Sequence, residues 1–174
     1  MSEQEQVLFA SINNCCYFKL CGELRYTNAT GMDDLIERLF STRIECAQVV
    51  IDLNQATFID STYVGLLAGL ARYCQQQQLP KPTLFSTQSE INELLFGLCL
   101  DQAFQIIQQP TTVPPDNLPG GTLPENTTDI ATQSYSEQQQ GRMILRAHEA
   151  LIALNDKNKA EFQPVVNLLK QQLK

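Results

Sequence analysis

The sequence predicts an α/β protein with a mixed β-sheet, and two features of its pattern point to that class. Short strand-like runs alternate with segments of helical period from the first residues to about residue 108. One run, Val49-Val50-Ile51-Asp52-Leu53, is almost continuously apolar and β-branched, as expected for a strand covered on both faces. The apolar share of 43% is ordinary for a folded chain. No run approaches the roughly 18 apolar residues that a membrane-spanning helix needs.

The first two predicted strands, residues 7–12 and 17–20, lie on either side of the turn-like pair Asn13-Asn14. The first helix is expected to begin at Thr30, because Asp33 follows three residues later in a helix-start pattern. The apolar stripe of that helix consists of Met32, Leu35, Ile36, Leu39 and Phe40.

The remaining elements of this zone continue the alternation. A strand at residues 49–53 is followed by a helix from Ser61 to about Gln76, and a short strand covers residues 83–85. Thr87 and Glu90 form a capping-box pair that opens the next helix, and residues 104–107 make the last strand. The predicted order is therefore β-β-α-β-α-β-α-β.

Composition divides the chain into three parts. Residues 1–108 form the α/β domain, and residues 109–135, with five prolines and few large apolar side chains, are predicted to be a flexible linker. Residues 136–174 contain two amphipathic segments separated at Asn155-Asp156, which predicts a C-terminal helical hairpin. The hairpin is slightly basic, so we expect it to pack on the acidic domain, to form a homodimer, or to bind an acidic partner.

Charge and composition exclude several classes of function. The net charge of −7 argues against nucleic acid and against anionic membrane surfaces as partners. The acidic N-terminus shows no secretory signal, which predicts a cytoplasmic protein. The six cysteines form no C-x-x-C pair, so we expect no metal and no cofactor, and reduced thiols rather than a disulfide framework.

The segment that carries chemistry is Asp60-Ser61-Thr62, at the predicted start of the second long helix. These residue types are first of all ordinary helix caps. The helix behind them, however, has a second apolar stripe through Tyr63 and Leu66, so it is either buried on both sides or offers one side to a partner. Phosphate on Ser61 would be tolerated by the helix N-terminus and would repel an acidic or apolar partner.

Residues 49–67, together with Gly22-Glu23-Leu24 and residues 97–107, resemble the STAS domain of bacterial anti-sigma factor antagonists. The resemblance covers about residues 5–108 and implies the STAS fold. It also implies that Ser61 is phosphorylated by a serine kinase, often the anti-sigma factor itself, and dephosphorylated by a PP2C-type phosphatase. The unphosphorylated form would bind the anti-sigma factor and the phosphorylated form would not.

Some positions depart from the family pattern. Tyr63 and Val64 replace a glycine and a leucine, and Arg25 reverses a charge expected near the interface. Together with the C-terminal hairpin, the pattern is similar to γ-proteobacterial antagonists that act in flagellar and biofilm control. The residues expected to contact the partner are Asp60, Thr62, Tyr63, Leu66, Glu23 and Arg25.

An enzyme is not expected. A serine nucleophile needs a base, and His148, the only histidine, lies beyond the predicted linker, where we expect it on the polar face of a helix. Two other functions remain open: a STAS subunit of a transporter or lipid-transfer complex, in which Ser61 is never modified, and a regulator of a signalling enzyme such as a diguanylate cyclase.

Overall fold

The computed structural model describes residues 5–41, 46–110 and 127–174, and within them it forms one mixed sheet with helices packed on it. The strands are β1 (Gln6–Ile12), β2 (Cys15–Leu24), β3 (Gln48–Asp52), β4 (Ala56–Ile59), β5 (Thr83–Phe85), β6 (Gln105–Ile107) and β7 (Thr128–Asp129). The helices are α1 (Thr30–Ser41), α2 (Ser61–Gln76), α3 (Ser89–Gly97), α4 (Glu137–Ile152) and α5 (Asp156–Gln172). Two short 3₁₀ turns cover Tyr26–Asn28 and Leu100–Gln102.

The strand order is β6-β5-β3-β2-β1-β7, and β4 pairs with the C-terminal end of β2. β1 is antiparallel to both of its neighbours, whereas β3, β4, β5 and β6 are added by parallel pairings. Parallel pairings need crossover connections, and the intervening helices provide them. The predicted α/β class with a mixed sheet is therefore confirmed.

The hairpin between β1 and β2 turns at the predicted asparagine pair. Asn13 and Asn14 have φ values of 49° and 65°, in the left-handed region that asparagine tolerates better than most residues. Further along β2, the register shifts after Gly22, whose φ is 81°. β2 pairs with β3 along its first half and with β4 along its second half, and the irregularity lies within the second pairing.

The sequence pattern missed β4. Its four residues alternate poorly, because the middle two, Thr57 and Phe58, are both exposed. Only the pairing with β2 makes the segment a strand, and a single residue, Asp60, separates the end of β4 from the start of α2.

The capping pair predicted at Thr87 and Glu90 is wrong. Gln88 is the residue that precedes α3, and its side chain makes no capping hydrogen bond.

Part of the predicted linker at residues 109–135 belongs to the domain. Residues 111–126 lie outside the described residues, but β7 pairs with β1, and the Ile130 N–H donates to the Val7 carbonyl at 2.8 Å. Thr30 Oγ donates to the Gln133 carbonyl at 2.8 Å and accepts from the Gln133 N–H at 2.9 Å. The flexible-linker prediction is therefore wrong for residues 127–135, because the open edge of β1 offers them backbone partners.

The C-terminal helical hairpin is present, with Asn155 as the N-cap of α5. Met143, Ala147 and Leu151 of α4 are each no more than 1% exposed and join the core of the α/β domain. The hairpin and the domain therefore share one hydrophobic core. No helix in the described ranges is long and apolar enough to cross a membrane.

Candidate functional site

The N-terminus of α2 is built around the Asp60 side chain. Asp60 has extended backbone geometry, and its Oδ1 accepts a hydrogen bond from the Tyr63 N–H at 2.9 Å. Its Oδ2 accepts from the Tyr26 N–H at 2.7 Å. A carboxylate here satisfies a donor that the helix start leaves unpaired and interacts favourably with the helix dipole. Asp60 is therefore an N-cap that also holds the chain after β2 against α2.

Ser61, the first residue of α2, is half-buried and contacts the C-terminal hairpin. Its Oγ lies 3.2 Å from Nε2 of His148, and Nδ1 of His148 lies 2.8 Å from the Ile144 carbonyl oxygen. A carbonyl oxygen only accepts, so Nδ1 carries the hydrogen of the neutral ring. Nε2 is then the acceptor, and the Ser61 hydroxyl donates to it.

The expectation that His148 lies on a polar helix face is wrong. The side chain is only 5% exposed and its ring makes an edge contact with Phe162, at 5.4 Å between ring centroids. No local pattern of residues indicates this burial, since Ser61 and His148 are 87 positions apart in the sequence and their contact depends on how the hairpin docks. Ser61 and His148 are thus adjacent, although His148 lies beyond the predicted linker in the sequence and was therefore not expected near a serine.

The residues expected to form an exposed docking stripe are buried. Thr62, Tyr63 and Leu66 are 5%, 0% and 6% exposed. Tyr63 lies beside Gly31 and Ile130, and its burial raises the pKa of the phenol above the usual value. Leu66 lies between α1 and α4. The second apolar stripe of α2 is therefore covered by this chain itself, because the segment after residue 126 returns to the domain.

Helix α4 approaches α2 closely at Gly65. A Cβ atom at this position would overlap the backbone carbonyl of Ala147, so a glycine is required for the observed contact. Gly69, one turn later, is less restricted, since its Cβ would lie 3.9 Å from the Ala150 Cβ. The two glycines four residues apart were the available sequence signal for a close helix–helix contact.

An ion pair and a hydrogen bond join α1 to α4 and to the residues just before it. The buried carboxylate of Asp33 accepts hydrogen bonds at Oδ2 from the Arg146 guanidinium, at 2.8 Å, and from the Tyr135 hydroxyl, at 2.7 Å. Burial, and then the hydrogen bond to Asp33, raise the pKa of Tyr135. Asp33 therefore binds the residues before and within α4, in addition to lying in the first turn of α1.

An exposed surface remains at the ends of β2 and β4, and it is joined to the start of α2 by the hydrogen bond from the Tyr26 N–H to Asp60. The Arg25 guanidinium lies over the Phe58 ring, 4.1 Å from its centroid, and Arg25 Nε donates to a Glu23 carboxylate oxygen at 3.1 Å. Phe58 is 39% exposed and Tyr26 is 45% exposed. We call these four residues the Phe58 surface. Glu23 and Arg25 were predicted contact residues, whereas Phe58 was missed because β4 was missed.

The Ser61 side chain offers a hydroxyl group that is oriented by its hydrogen bond to His148. A serine hydroxyl that donates to an imidazole resembles the nucleophile and base of hydrolases, but here a backbone carbonyl, rather than a carboxylate, orients the ring.

Two cavities of about 570 and 350 Å³ flank α4, and neither is lined by Ser61 or His148. Among the described residues, no group of three or more His, Cys, Asp or Glu side chains is arranged to hold a metal ion.

The outer face of α5 leaves Val165 and Leu168 exposed, at 39% and 55%. The inner face packs on α4 and joins the shared core through Phe162. Of the three roles expected for the hairpin, packing on its own domain is therefore confirmed. A homodimer through the outer face stays a prediction.

The strand order, the helix that follows Asp60 and the hydroxyl at its first residue describe a STAS domain, and the STAS domain family matches residues 6–110. The chain belongs to this family. It is also similar to the crystal structure of an anti-sigma factor antagonist from Mycobacterium paratuberculosis, with a TM-score of 0.48 and 17% sequence identity over 62% of this chain and 87% of that chain. No curated protein matches the sequence.

Proposed function

We propose that the protein is an anti-sigma factor antagonist of the cytoplasm, a binding module without enzymatic activity that sequesters an anti-sigma factor while Ser61 is unphosphorylated. The observation that carries the proposal is the position of Ser61. Its half-buried hydroxyl is at the first residue of α2, and the preceding residue, Asp60, accepts a hydrogen bond at 2.7 Å from the Tyr26 N–H of the exposed Phe58 surface. Membership in the STAS family and the Asp60-Ser61-Thr62 motif support the same function.

The switch would act through charge. A phosphate on Ser61 adds about −1.5 to −2 charges near neutral pH. The N-terminus of α2 accommodates that charge without unfolding, because its dipole and N–H groups favour an anion. For a partner on the Phe58 surface, the phosphate would add to the negative charges of Asp60 and Glu23. An acidic or apolar partner would then be repelled.

The Phe58 surface, rather than Tyr63 and Leu66, would make the first contact with the partner. An exposed aromatic ring with a guanidinium stacked on it combines apolar area with a fixed cation, the residue types that dominate binding energy at interfaces. Arg25 would contact an acidic group of the anti-sigma factor. The serine kinase that acts on Ser61, often the anti-sigma factor itself, and the PP2C-type phosphatase that reverses it follow from the family resemblance.

The test is a titration of the partner with three forms of the full chain. The partner is first isolated by cross-linking in native cells and identified by mass spectrometry. We expect Ser61→Asp to weaken binding by several kcal/mol and Ser61→Ala to bind like the wild type. Phe58→Ala should weaken binding, whereas Val165→Ala, which is also 39% exposed but lies on α5, should not. Equal affinity of the three Ser61 forms would refute the proposal.

One observation favours a second candidate. Tyr63 and Leu66 are covered, so α2 has the burial of a scaffold helix. Such a helix would suit a STAS subunit of a transporter or lipid-transfer complex, or a regulator of a signalling enzyme such as a diguanylate cyclase, with Ser61 unmodified. Mass spectrometry of the peptide that contains Asp60-Ser61-Thr62, from native cells, separates the two. Phosphate on that peptide supports the switch, and its absence in every growth condition supports the scaffold.

A further inference from the structure

Helix α4 is firmly seated on the α/β domain. Among the described elements it packs most extensively on α2, and the ion pair between Arg146 and Asp33 holds it to α1 as well. Three of its side chains lie in the shared core and are no more than 1% exposed: Met143, Ala147 and Leu151. The helix therefore holds His148 in a fixed position against the start of α2.

The imidazole of His148 faces groups from three helices. From α2, Ser61 Oγ lies 3.2 Å from Nε2, and from α4 itself the Ile144 carbonyl oxygen lies 2.8 Å from Nδ1. From α5, the Phe162 ring contacts the imidazole at 5.4 Å between ring centroids. None of these three groups is charged. Because an unpaired charge in a buried site is costly, the ring is neutral while Ser61 carries a hydroxyl group.

The charged residues next to these positions in the sequence are all acidic. Asp60 precedes Ser61, Glu149 follows His148, and Glu161 precedes the phenylalanine of α5. Carboxylates provide no hydrogen-bond donor for an anion, so they do not compete with the imidazole for a phosphate on Ser61. Their negative charge also favours a protonated ring over a neutral one.

A phosphate on Ser61 changes which partner the ring needs. The hydroxyl donor is lost, and the phosphate presents acceptor oxygens that carry about −1.5 to −2 charges near neutral pH. An imidazolium ring has a donor at each nitrogen, so Nδ1 keeps its bond to the Ile144 carbonyl while Nε2 is free to donate to the phosphate. A hydrogen bond between two charged groups is about twice as strong as one between neutral groups. Since Ser61 is half-buried, its open side leaves space for the other phosphate oxygens.

We infer that His148 is the binding group for phosphate on Ser61: Nε2 becomes protonated and donates to a phosphate oxygen, and the resulting ion pair fastens α4 to α2. The inference deepens the proposed function, on which it rests for the identity of the modification. The pair of phosphate and imidazolium keeps a net negative charge, so the repulsion of an acidic partner remains.

The proton comes from Ser61 itself. In the transfer, Oγ bonds to the terminal phosphorus of the nucleoside triphosphate that the serine kinase uses, and the bond from that phosphorus to the departing nucleoside diphosphate breaks. The hydroxyl proton moves to Nε2, which already accepts the hydrogen bond of that hydroxyl group.

The experiment records the imidazole ¹⁵N resonances of the full chain by NMR at neutral pH. The chain has one histidine, so a preparation without a histidine tag gives a single set of ring signals. Phosphoserine is incorporated at position 61 during translation, and no kinase is needed. The matched control carries phosphoserine at position 89 instead, because Ser89 is likewise the first residue of a helix, α3, but is exposed. Position 148 is left unchanged, so the result does not depend on a variant that fails to fold.

We expect one protonated ring nitrogen in the unmodified chain and in the chain with phosphoserine at position 89. With phosphoserine at position 61, both ring nitrogens should be protonated, and amide hydrogen exchange in α4 should be no faster than in the unmodified chain. The inference is overturned if the ring stays neutral beside the phosphate, if it is protonated in either of the other forms, or if α4 exchanges faster. Since the phosphate is installed directly, failure to find phosphate in native cells would sink the proposed function alone.

Discussion

Ser61 and His148 are separated by 87 positions in the sequence, yet Oγ of the serine and Nε2 of the histidine are 3.2 Å apart. The pair joins the start of α2 to α4, and so connects the position proposed for phosphorylation to a part of the chain outside the family match at residues 6–110. Whatever changes Ser61 also changes a buried contact of the C-terminal hairpin.

Ser61→Ala should lower the free energy of unfolding by about 1–2 kcal/mol, because it leaves Nε2 of the buried His148 without a partner. Urea denaturation at neutral pH measures the change. Ser89→Ala is the matched control, since Ser89 is the first residue of α3 but is exposed. A loss no larger than that of the control would show that the Ser61–His148 contact contributes nothing to stability.

Asp33→Asn should lower the free energy of unfolding more than Asp34→Asn does. Asp33 accepts two hydrogen bonds in a buried site, one of them from Arg146, and losing the charge there should cost about 1–3 kcal/mol. Asp34 is partly exposed and, within the part of the chain that the structure describes, pairs with Arg38 along the helix, so Asp34→Asn should lower the free energy of unfolding by less than about 0.5 kcal/mol. Equal denaturation midpoints for the two variants would contradict this account of how α1 holds α4.

Tyr63→Phe should stabilise the protein. The Tyr63 hydroxyl is fully buried and has no hydrogen-bond partner among the described residues. Removing it relieves an unpaired polar group and keeps the ring, which should raise the free energy of unfolding by about 1 kcal/mol. A lower melting temperature for Tyr63→Phe than for wild type would show that the hydroxyl does have a partner.

The protein should lose stability in alkali. Burial raises the pKa of Tyr63 above its ordinary value of 10.0, and burial raises the pKa of Cys74 from 9.0 to about 12. The folded state then holds these protons at pH values where the unfolded state releases them, so stability falls as pH rises above about 9. Urea unfolding between pH 8 and pH 11 tests this, and Tyr63→Phe should flatten the decline above pH 10. An unchanged slope in that variant would contradict the stated cause.

The sequence pattern located most helices and strands because the periodicity of buried residues is a local property. The start of α1 at Thr30, the extent of α2 from Ser61 to Gln76, and the break of the C-terminal hairpin before Asp156 all agree with expectation. β4 was missed because Thr57 and Phe58 both face solvent, so nothing in its four residues alternates. β7 was missed because two residues show no periodicity, and only the open edge of β1 makes them a strand.

The candidate site shows the same division. The sequence by itself determined most helices and strands of the α/β domain, the cap by Asp60 and the position of Ser61, since each depends on neighbours within a few residues along the chain. Only the tertiary structure decided that His148 contacts Ser61, that the backbone of Ala147 packs directly on Gly65, and that Tyr63 and Leu66 are buried. Those contacts arise when the C-terminal hairpin docks on α2, and docking depends on the shapes of two surfaces rather than on any local pattern of residues.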